Sequence, residues 1–428
     1  MRGEFALVGG VIFTGRAVLK GQALLVGEGV VRGLVPPSEL PREIEQIDVA
    51  GRLILPGFVN AHHHAYSALA TGMPSAAARN FREVLEQVWW RLDKALDEEA
   101  LALSARWTAL QCLQHGVTTL IDHHASYGVV RGALEIVQRE FEACGLSSVV
   151  CFEISGRHGR AAAMAALEEN LSFRPGPRGA RLIGLHAGFT LDDELLREVG
   201  ERVPDDVGFH IHCAEDVVDV ANAQGQLLER LARFGIVRRQ SLLVHGVHLR
   251  EDELERVARS GAALVHCPES NMHNGVGSLD LVRATALGVR VVCGTDGLHS
   301  SMLRSYAAAY LLARHTRRDA GVGFAETGRM YTSTQGLARS FWPDSSGEIE
   351  VGKRADLVVL AYQPHTPITT ENAWGHVLYG APLAPVQMTI SGGVVRYADG
   401  CWPGWDMRSI TAACTRAAER VWARLRVT

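Results

Sequence analysis

The chain is poor in the features that mark several protein classes. No basic residues are clustered, and a formal net charge of -4 with a pI near 6.5 leaves no electrostatic footprint for nucleic acid or an anionic membrane. No uninterrupted apolar run approaches the ~20 residues of a membrane span. The opening MRGEFALVGGVIFTG has no basic segment followed by an apolar core and a small-residue cleavage site, so no signal peptide is expected. Cysteine is present eight times but scattered, with no C-x-x-C pair. Several of these thiols fall inside apolar runs, as reduced, buried cysteines of a cytoplasmic protein do. A disulfide framework and a zinc–thiolate cluster are both disfavoured.

What the chain does have is core. Over 428 residues, 47% are hydrophobic and 21% charged, the balance of a soluble globular protein. Its middle alternates apolar runs with amphipathic segments. The runs are LILPGFVNAHHH, TTLIDHHAS, SSVVCFEIS, RLIGLHAGFT, VGFHIHCAE, SLLVHGVHL, AALVHCPESN and RVVCGTDG. Each is apolar on both faces until polar residues arrive near its C-terminal end, the pattern of a buried parallel strand. Between them lie helical patterns such as Asp192–Arg202 and Arg250–Ser260, the latter running into Gly261. Eight such units over roughly 240 residues predict an α/β fold, a (β/α)8 TIM-like barrel spanning 55–347. The long first connection, Asn80–Glu98 with Trp89 and Trp90, predicts an extra helix over the barrel mouth.

The flanks read differently. ALLVGEGVVRGLV predicts a hairpin turning at Gly-Glu-Gly, and ADLVVLAY and VQMTISGGVVRYADG predict further strands near the other end. Each piece is too short to fold alone. One small composite β-sandwich built from 1–54 and 348–428 is therefore expected, with the final TAACTRAAERVWARLR as an amphipathic helix suited to packing or a homodimer surface.

Histidine carries the functional signal. The chain has 18, concentrated at the C-terminal strand ends where barrels do chemistry. A single one is best explained as a satisfied core residue; a set on one rim is not. In His62-His63-His64, period-two alternation places His62 and His64 on one face, able to share a metal ion, and His63 on the other as a structural residue. The fifth run carries His210, His212 and then Glu215, so a ligand and a proton shuttle could stand side by side; His210 lies deeper, as packing or support. The sixth run contributes His245, and the eighth ends at Asp296 between glycines, a lone carboxylate that could equally cap a helix.

PGFVNAHHH, HCAE, VHGVH and GTDG, in this order and spacing, resemble the amidohydrolase superfamily, in its cytosine deaminase, guanine deaminase and chlorohydrolase branch. NFREVLEQVWWRLDKAL, DHHAS, LHAGFT, CPESNMHNGVG and PITTENAWGHVLYG look closer still to the aminohydrolases called SsnA. The resemblance implies a deformed barrel with a composite β-domain and a metal-dependent hydrolase. Carried over by position, it makes His62, His64, His212 and Asp296 metal ligands, Glu215 the proton shuttle, and His245 the residue beside the attacking water. It also makes His186, in LHAGFT, a substrate contact. The binuclear branches carry a bridging lysine on strand four, whereas RLIGLHAGFT has none, so one metal is expected. Gln111 stands where many relatives have Glu, a departure that weakens detailed substrate analogy.

Three histidines and a carboxylate suit Zn2+, with Fe2+ or Mn2+ as alternatives. The ion would make hydroxide available near neutral pH. Asp296 would accept the water's proton, His245 would stabilise the oxyanion, and Glu215 would protonate a ring nitrogen and then the departing amine. Further substrate candidates are Trp89, His124, Asn271 and His299, each with a structural alternative in core packing, a turn or a helix cap; His273, Asp122 and His123 stand near them in the sequence. Competing readings are ring opening of a cyclic amide or amidine, dechlorination, and, from another class, a non-catalytic binding protein on the same fold.

No cluster of Arg or Lys sits on the strand ends to clamp a phosphate. A neutral, nucleobase-like ring is therefore the expected substrate, with the Trp89–Trp90 segment closing over it. Paired assays of free base, nucleoside and nucleotide should show kcat/KM highest for an unphosphorylated form. A clear preference for the nucleotide would overturn this and make Arg79, Arg82 or Arg157 the first phosphate-binding suspects.

Overall fold

The computed structural model describes residues 3–74 and 77–427. All eight apolar runs form strands: β1 (Phe58–His63), β2 (Val117–His124), β3 (Ser147–Ile154), β4 (Ile183–Ala187), β5 (Phe209–Cys213), β6 (Leu242–His245), β7 (Ala263–His266) and β8 (Arg290–Cys293). They pair in chain order, every neighbour parallel. Alternation along each strand divides the apolar side chains between two cores. Val59, Ile121, Val149, Val244, Val265 and Val292 meet one another across strands. Their neighbours Leu120, Val150, Leu243, Leu264 and Val291 pack in the larger cluster shared with the surrounding helices. Both faces are thus buried, which is why the runs read as continuous apolar stretches.

The barrel closes without a strand ladder between β8 and β1. Instead the Thr295 backbone N–H donates to the His62 carbonyl at 3.1 Å and to Asn60 Oδ1 at 3.2 Å, while Asn60 Nδ2 donates to Thr295 Oγ1 at 2.7 Å. Gly294 lets this seam shut: a Cβ there would stand 2.8 Å from His62 Cβ and 2.9 Å from its nitrogen.

The run LILPGFVNAHHH is two strands, not one. Leu53–Pro56 belongs to a six-stranded sheet outside the barrel, in which it pairs with Leu357–Leu360 from the other end of the chain. A four-stranded sheet, containing Ala23–Gly27 and Val30–Val35, lies over that one. Their shared core joins Phe5, Leu7, Leu24 and Val26 to Leu357, Val359, Met388 and Ile390, so both chain ends are needed to bury either. The expected hairpin is present, with Glu28 at φ +52° and Gly29 at φ +82°, the two positive φ values of a type I′ turn. The terminal helix Met407–Val427 lies against the barrel's first connection: Trp422 Nε1 donates to the Leu69 carbonyl at 2.9 Å and Arg424 Nη1 to that of Ala95 at 2.6 Å.

Helix signals operate as the residues suggest. Asp192 caps Asp193–Arg202 by accepting from the Leu195 N–H, and Gly261 ends Glu251–Ser260 at φ +72°. The long first connection is helical over Phe81–Val84 and Trp90–Ala95, with a π-helical turn at Leu85–Trp89 between them. Its apolar side chains, Phe81, Leu85, Trp89 and Trp90, meet Phe189, Val218, Val247 and Val276 from loops that follow the strands, forming a roof over the barrel mouth. Among the described residues no helix is long and apolar enough to cross a membrane, and all eight cysteines are free thiols.

The seam yields a test. Asn60→Ala leaves the buried Thr295 N–H with the His62 carbonyl as its single partner, removes the donor to Thr295 Oγ1, and should destabilise the chain by about 1–3 kcal/mol. A urea midpoint unchanged from the parent would show that the seam contributes nothing to stability.

Candidate metal centre

Three residues at the barrel's C-terminal rim hold backbone conformations that side chains normally avoid: Ala214 at φ +51°, His245 at φ +76° and Asp296 at φ +57°. A non-glycine residue held there costs on the order of 1–3 kcal/mol, and such strain collects at functional sites. Each departure lies at or just past the end of β5, β6 or β8 and turns the chain there. Ala214 turns it into Glu215; the other two set the directions of His245 and Asp296 themselves. Asp219 fastens the first of these turns, accepting from the Ala214 N–H at 2.9 Å and, with its other oxygen, from the Phe189 N–H at 2.9 Å.

The rim brings four donor groups together. His64 Nε2 lies 3.2 Å from His212 Nε2 and 3.3 Å from Asp296 Oδ1, and His62 Nε2 lies 3.7 Å from that same oxygen. The nitrogens of His62, His64 and His212 all fall within 4.8 Å of one another. Ligands about 2.1 Å from a tetrahedral ion stand about 3.4 Å apart, so these separations suit one small cation.

Hydrogen bonding leaves the set little alternative. His64 Nδ1 donates to the His123 carbonyl at 2.6 Å, and His212 Nδ1 donates to that of His186 at 2.9 Å. In the neutral rings both Nε2 atoms then carry bare lone pairs, pointed at each other. His62 Nδ1 meets His210 Nε2 at 2.9 Å, while its buried Nε2 has no hydrogen-bond partner. Burial and neighbouring histidines drive the pKa of His62 and of His212 well below 6.5. At Asp296 burial pushes the carboxyl up, but His64 and His245, with hydrogen bonds from Ser270 and Gly297, pull it further down. Imidazole nitrogens facing a carboxylate in a buried cluster fit a divalent metal.

Beside this set lies proton-transfer machinery. Glu215 Oε2 is 3.3 Å from His245 Nε2, and Asn274 Nδ2 donates to Glu215 Oε1 at 3.1 Å. Burial, then the charge of Asp296, raises the Glu215 pKa well above 4.5, which favours its acid form. His245 Nδ1 donates to Asn271 Oδ1 at 2.8 Å, which turns the Nε2 lone pair toward Glu215 and Asp296. Ser270 Oγ donates to Asp296 Oδ2 at 2.6 Å.

These groups open into a cavity of about 820 Å3, counted out to its mouth, and His64, His186, His212, Glu215, His245 and Asp296 all line it. Trp89 and Trp90 both line it as well, so the roof presents two indoles rather than one. Three expected substrate contacts do not line it. His124 is fully buried, its Nε2 on Ser126 Oγ at 2.8 Å; Asn271 is spent on orienting His245; and His299 Nε2 is paired with Glu269 at 2.6 Å. His124 is held by a neighbour two residues on, and the other two by partners that the linear order does not reveal. Asp122 is likewise buried under the rim, taking the Ala65 N–H at 2.6 Å. His63 points away toward Ser300, at 3.4 Å. Sequence reasoning missed Asn274, Ser270, Asp219 and Glu153. The signal for Glu153 was a lone acid inside an otherwise apolar strand; Asn274 stood in PESNMHNG, one residue past the His273 that was considered.

Comparison with known proteins agrees with this architecture. The model of the Amidohydrolase family matches residues 53–395, and that of the NagA composite domain matches 5–54. A 5-methylthioadenosine/S-adenosylhomocysteine deaminase of Desulforudis audaxviator is 31% identical over 407 residues, covering 91% of this chain and 90% of that protein. Among solved structures, a zinc-bound adenosine deaminase from Xanthomonas campestris superposes with a TM-score of 0.85 at 22% identity, over 98% of this chain and 99% of that one. Atrazine chlorohydrolase TrzN from Arthrobacter aurescens TC1, complexed with zinc, gives 0.78 at 20% identity, over 97% and 100%. At those identities the structural likeness establishes the shared fold.

One tightly held divalent ion per chain is expected, and His212→Ala should lose it. Elemental analysis with anomalous scattering measures both. Two fully occupied peaks about 3.5 Å apart, the spacing of two-metal sites, would refute the single-ion site.

Proposed function

The chain belongs to the amidohydrolase family and is a hydrolase acting on C–N bonds; from that premise we propose that it removes an amino group from a nitrogen heterocycle, purine-, pterin- or pyrimidine-like, and releases ammonia. The observation that carries this reading is Glu215: a buried carboxyl on the cavity wall whose acid form burial favours, 3.3 Å from His245 Nε2. A ring nitrogen beside an amino-bearing carbon needs such a donor, because its protonation makes that carbon electrophilic. The names of relatives that are deaminases support the same choice.

Zn2+ is the ion that His62, His64, His212 and Asp296 best suit, and when bound it would lower the pKa of a coordinated water toward ~7. The remaining steps belong to the chain. Asp296 Oδ2 and His245 Nε2, 3.8 Å apart, are the acceptors for the proton that leaves the attacking water. With that proton on Nε2, His245 becomes an N–H donor able to hold the developing oxyanion. Glu215 delivers its own proton to the ring nitrogen as the C–O bond forms. One proton of the water, passed on through Glu215, protonates the amino group so that the C–N bond breaks with ammonia as leaving group, and the other, released as the carbonyl forms, restores the Glu215 acid. His186 lines the cavity with its Nδ1 on Thr190 Oγ1 at 2.9 Å; burial lowers its pKa to about 4, so it meets a neutral ring as a neutral hydrogen-bonding partner.

Glu215→Gln should keep the metal and the fold and lose at least ~10²-fold in kcat on an ammonia-releasing substrate. In the parent, kcat should fall as pH rises through the raised Glu215 pKa, since the acid form does the work, and that limb should vanish in the variant. Normal turnover by Glu215→Gln would remove the shuttle from this residue, and chloride or ring-opened product in place of ammonia would overturn deamination.

A further inference from the structure

The cavity wall also contains charges that the chemistry above does not use. Arg157, on the loop after β3, is buried to 5% side-chain exposure, and its Nη1 and Nη2 are paired with Glu153 of β3 and Asp93 of the roof helix Trp90–Ala95, themselves at 4% and 1%. Its guanidinium lies 5.4 Å from the ring centroid of Trp90 and 4.8 Å from that of Tyr127, so it is held on its faces as well as at its edge. Arg157, Glu153 and Trp90 all line the cavity. A carboxylate oxygen of Glu153 comes within 4.8 Å of ring nitrogens of His123 and His212, which puts the pair directly beside the metal centre.

This placement is costly unless something uses it. Taking three charged side chains out of water carries a desolvation penalty that hydrophobic packing would avoid. Two carboxylates against one guanidinium leave the cluster net negative, so it repels an anionic substrate group rather than clamping one. Its hydrogen-bonding capacity is also only partly spent. Of the five N–H donors of a guanidinium, Arg157 gives one each to His158, Glu153 and Asp93, and two remain. Glu153, which lines the cavity, meets Arg157 through Oε1, so Oε2 is outside that bond. The indole N–H of Trp90 is buried without any partner.

A fixed donor beside a fixed acceptor is the complement of a C(=O)–N–H edge. We propose that Glu153 and Arg157 read such a lactam edge on the substrate ring, Glu153 accepting from the ring N–H and Arg157 donating to the carbonyl oxygen. The substrate is then an oxo-heterocycle that carries its amino group on a different carbon. This rests on the deamination reading only for which carbon is attacked. An amino ring without the oxo group leaves both charged partners unmatched, and such loss is the strongest form of discrimination a pocket can exert.

The test is a binding measurement independent of turnover. Zinc-loaded Glu215→Gln protein is titrated calorimetrically with two matched pairs: isocytosine against 2-aminopyrimidine, and guanine against 2-aminopurine. The oxo member of each pair should bind at least tenfold tighter, the lower end expected for a hydrogen bond to a charged group. Adding Glu153→Gln should bring that ratio toward one. If this variant loses zinc or its near-ultraviolet circular dichroism, Arg157→Lys, which keeps the charge without the fork, takes its place. A ratio below twofold in the parent, a ratio indifferent to both substitutions, or no binding by any of the four rings overturns the proposal. A preserved ratio with no ammonia released from any ring by the unsubstituted enzyme leaves the lactam reading standing and sinks deamination alone.

Discussion

Uncompensated lone pairs at the rim of the barrel are the constraint around which the rest of the molecule is arranged. His64 and His212 give their Nδ1 protons to backbone carbonyls, so their Nε2 atoms face each other at 3.2 Å with nothing between them but the space for a cation. Like-signed electron density at that distance is repulsive, and burial with the neighbouring histidines withholds a proton from His212. A divalent ion turns the same geometry from a cost into a source of stability, since its binding free energy is realised only in the folded chain.

Holding that arrangement requires a rigid frame, and the frame is made of hydrogen bonds that cross between strands. Asn60 and Thr295 join the first strand to the end of the last, fixing His62 relative to Asp296. Asp219 joins the loops after β4 and β5 and so steadies the left-handed turn that presents Glu215. Asn271 sets the tautomer of His245. Asn60, Thr295 and Asn271 are buried away from the cavity lining, and Asp219, which lines it, has both oxygens taken by backbone N–H groups, so each acts on the chemistry through position. The strained φ values at Ala214, His245 and Asp296 are tolerated because so many bonds over-determine them.

Over this frame the cavity wall carries two unlike sets of groups. One is Glu215, His245 and Asp296, where protons are exchanged. The other is Glu153 and Arg157 with the two indoles of the roof, and Asp93 ties that roof to the barrel through Arg157. A flat ring in the cavity has both sets within its lining. Their burial strengthens every electrostatic contact they make.

Much of this was legible in the residues themselves. Eight runs apolar on both faces could be satisfied only by a parallel sheet covered on both sides, and the polar residues at their ends had to gather at one rim. The H-x-H of His62 and His64, with His212, Glu215, His245 and Asp296 at the ends of later runs, could therefore be assembled from periodicity and resemblance before any coordinates. Tertiary structure alone decided which neighbours of those residues face the cavity. His124, Asn271 and His299 looked as eligible as His186, yet Ser126 holds His124 behind the wall and the more distant His245 and Glu269 hold the other two. Glu153 and Arg157 looked like strand and loop, yet Asp93, more than sixty residues earlier, pins them into the site. Periodicity reports which face of a strand is buried, because burial is a local average over the chain. Whether a buried polar side chain turns toward a cavity or into a hydrogen bond depends on a single distant atom, and no local pattern encodes that.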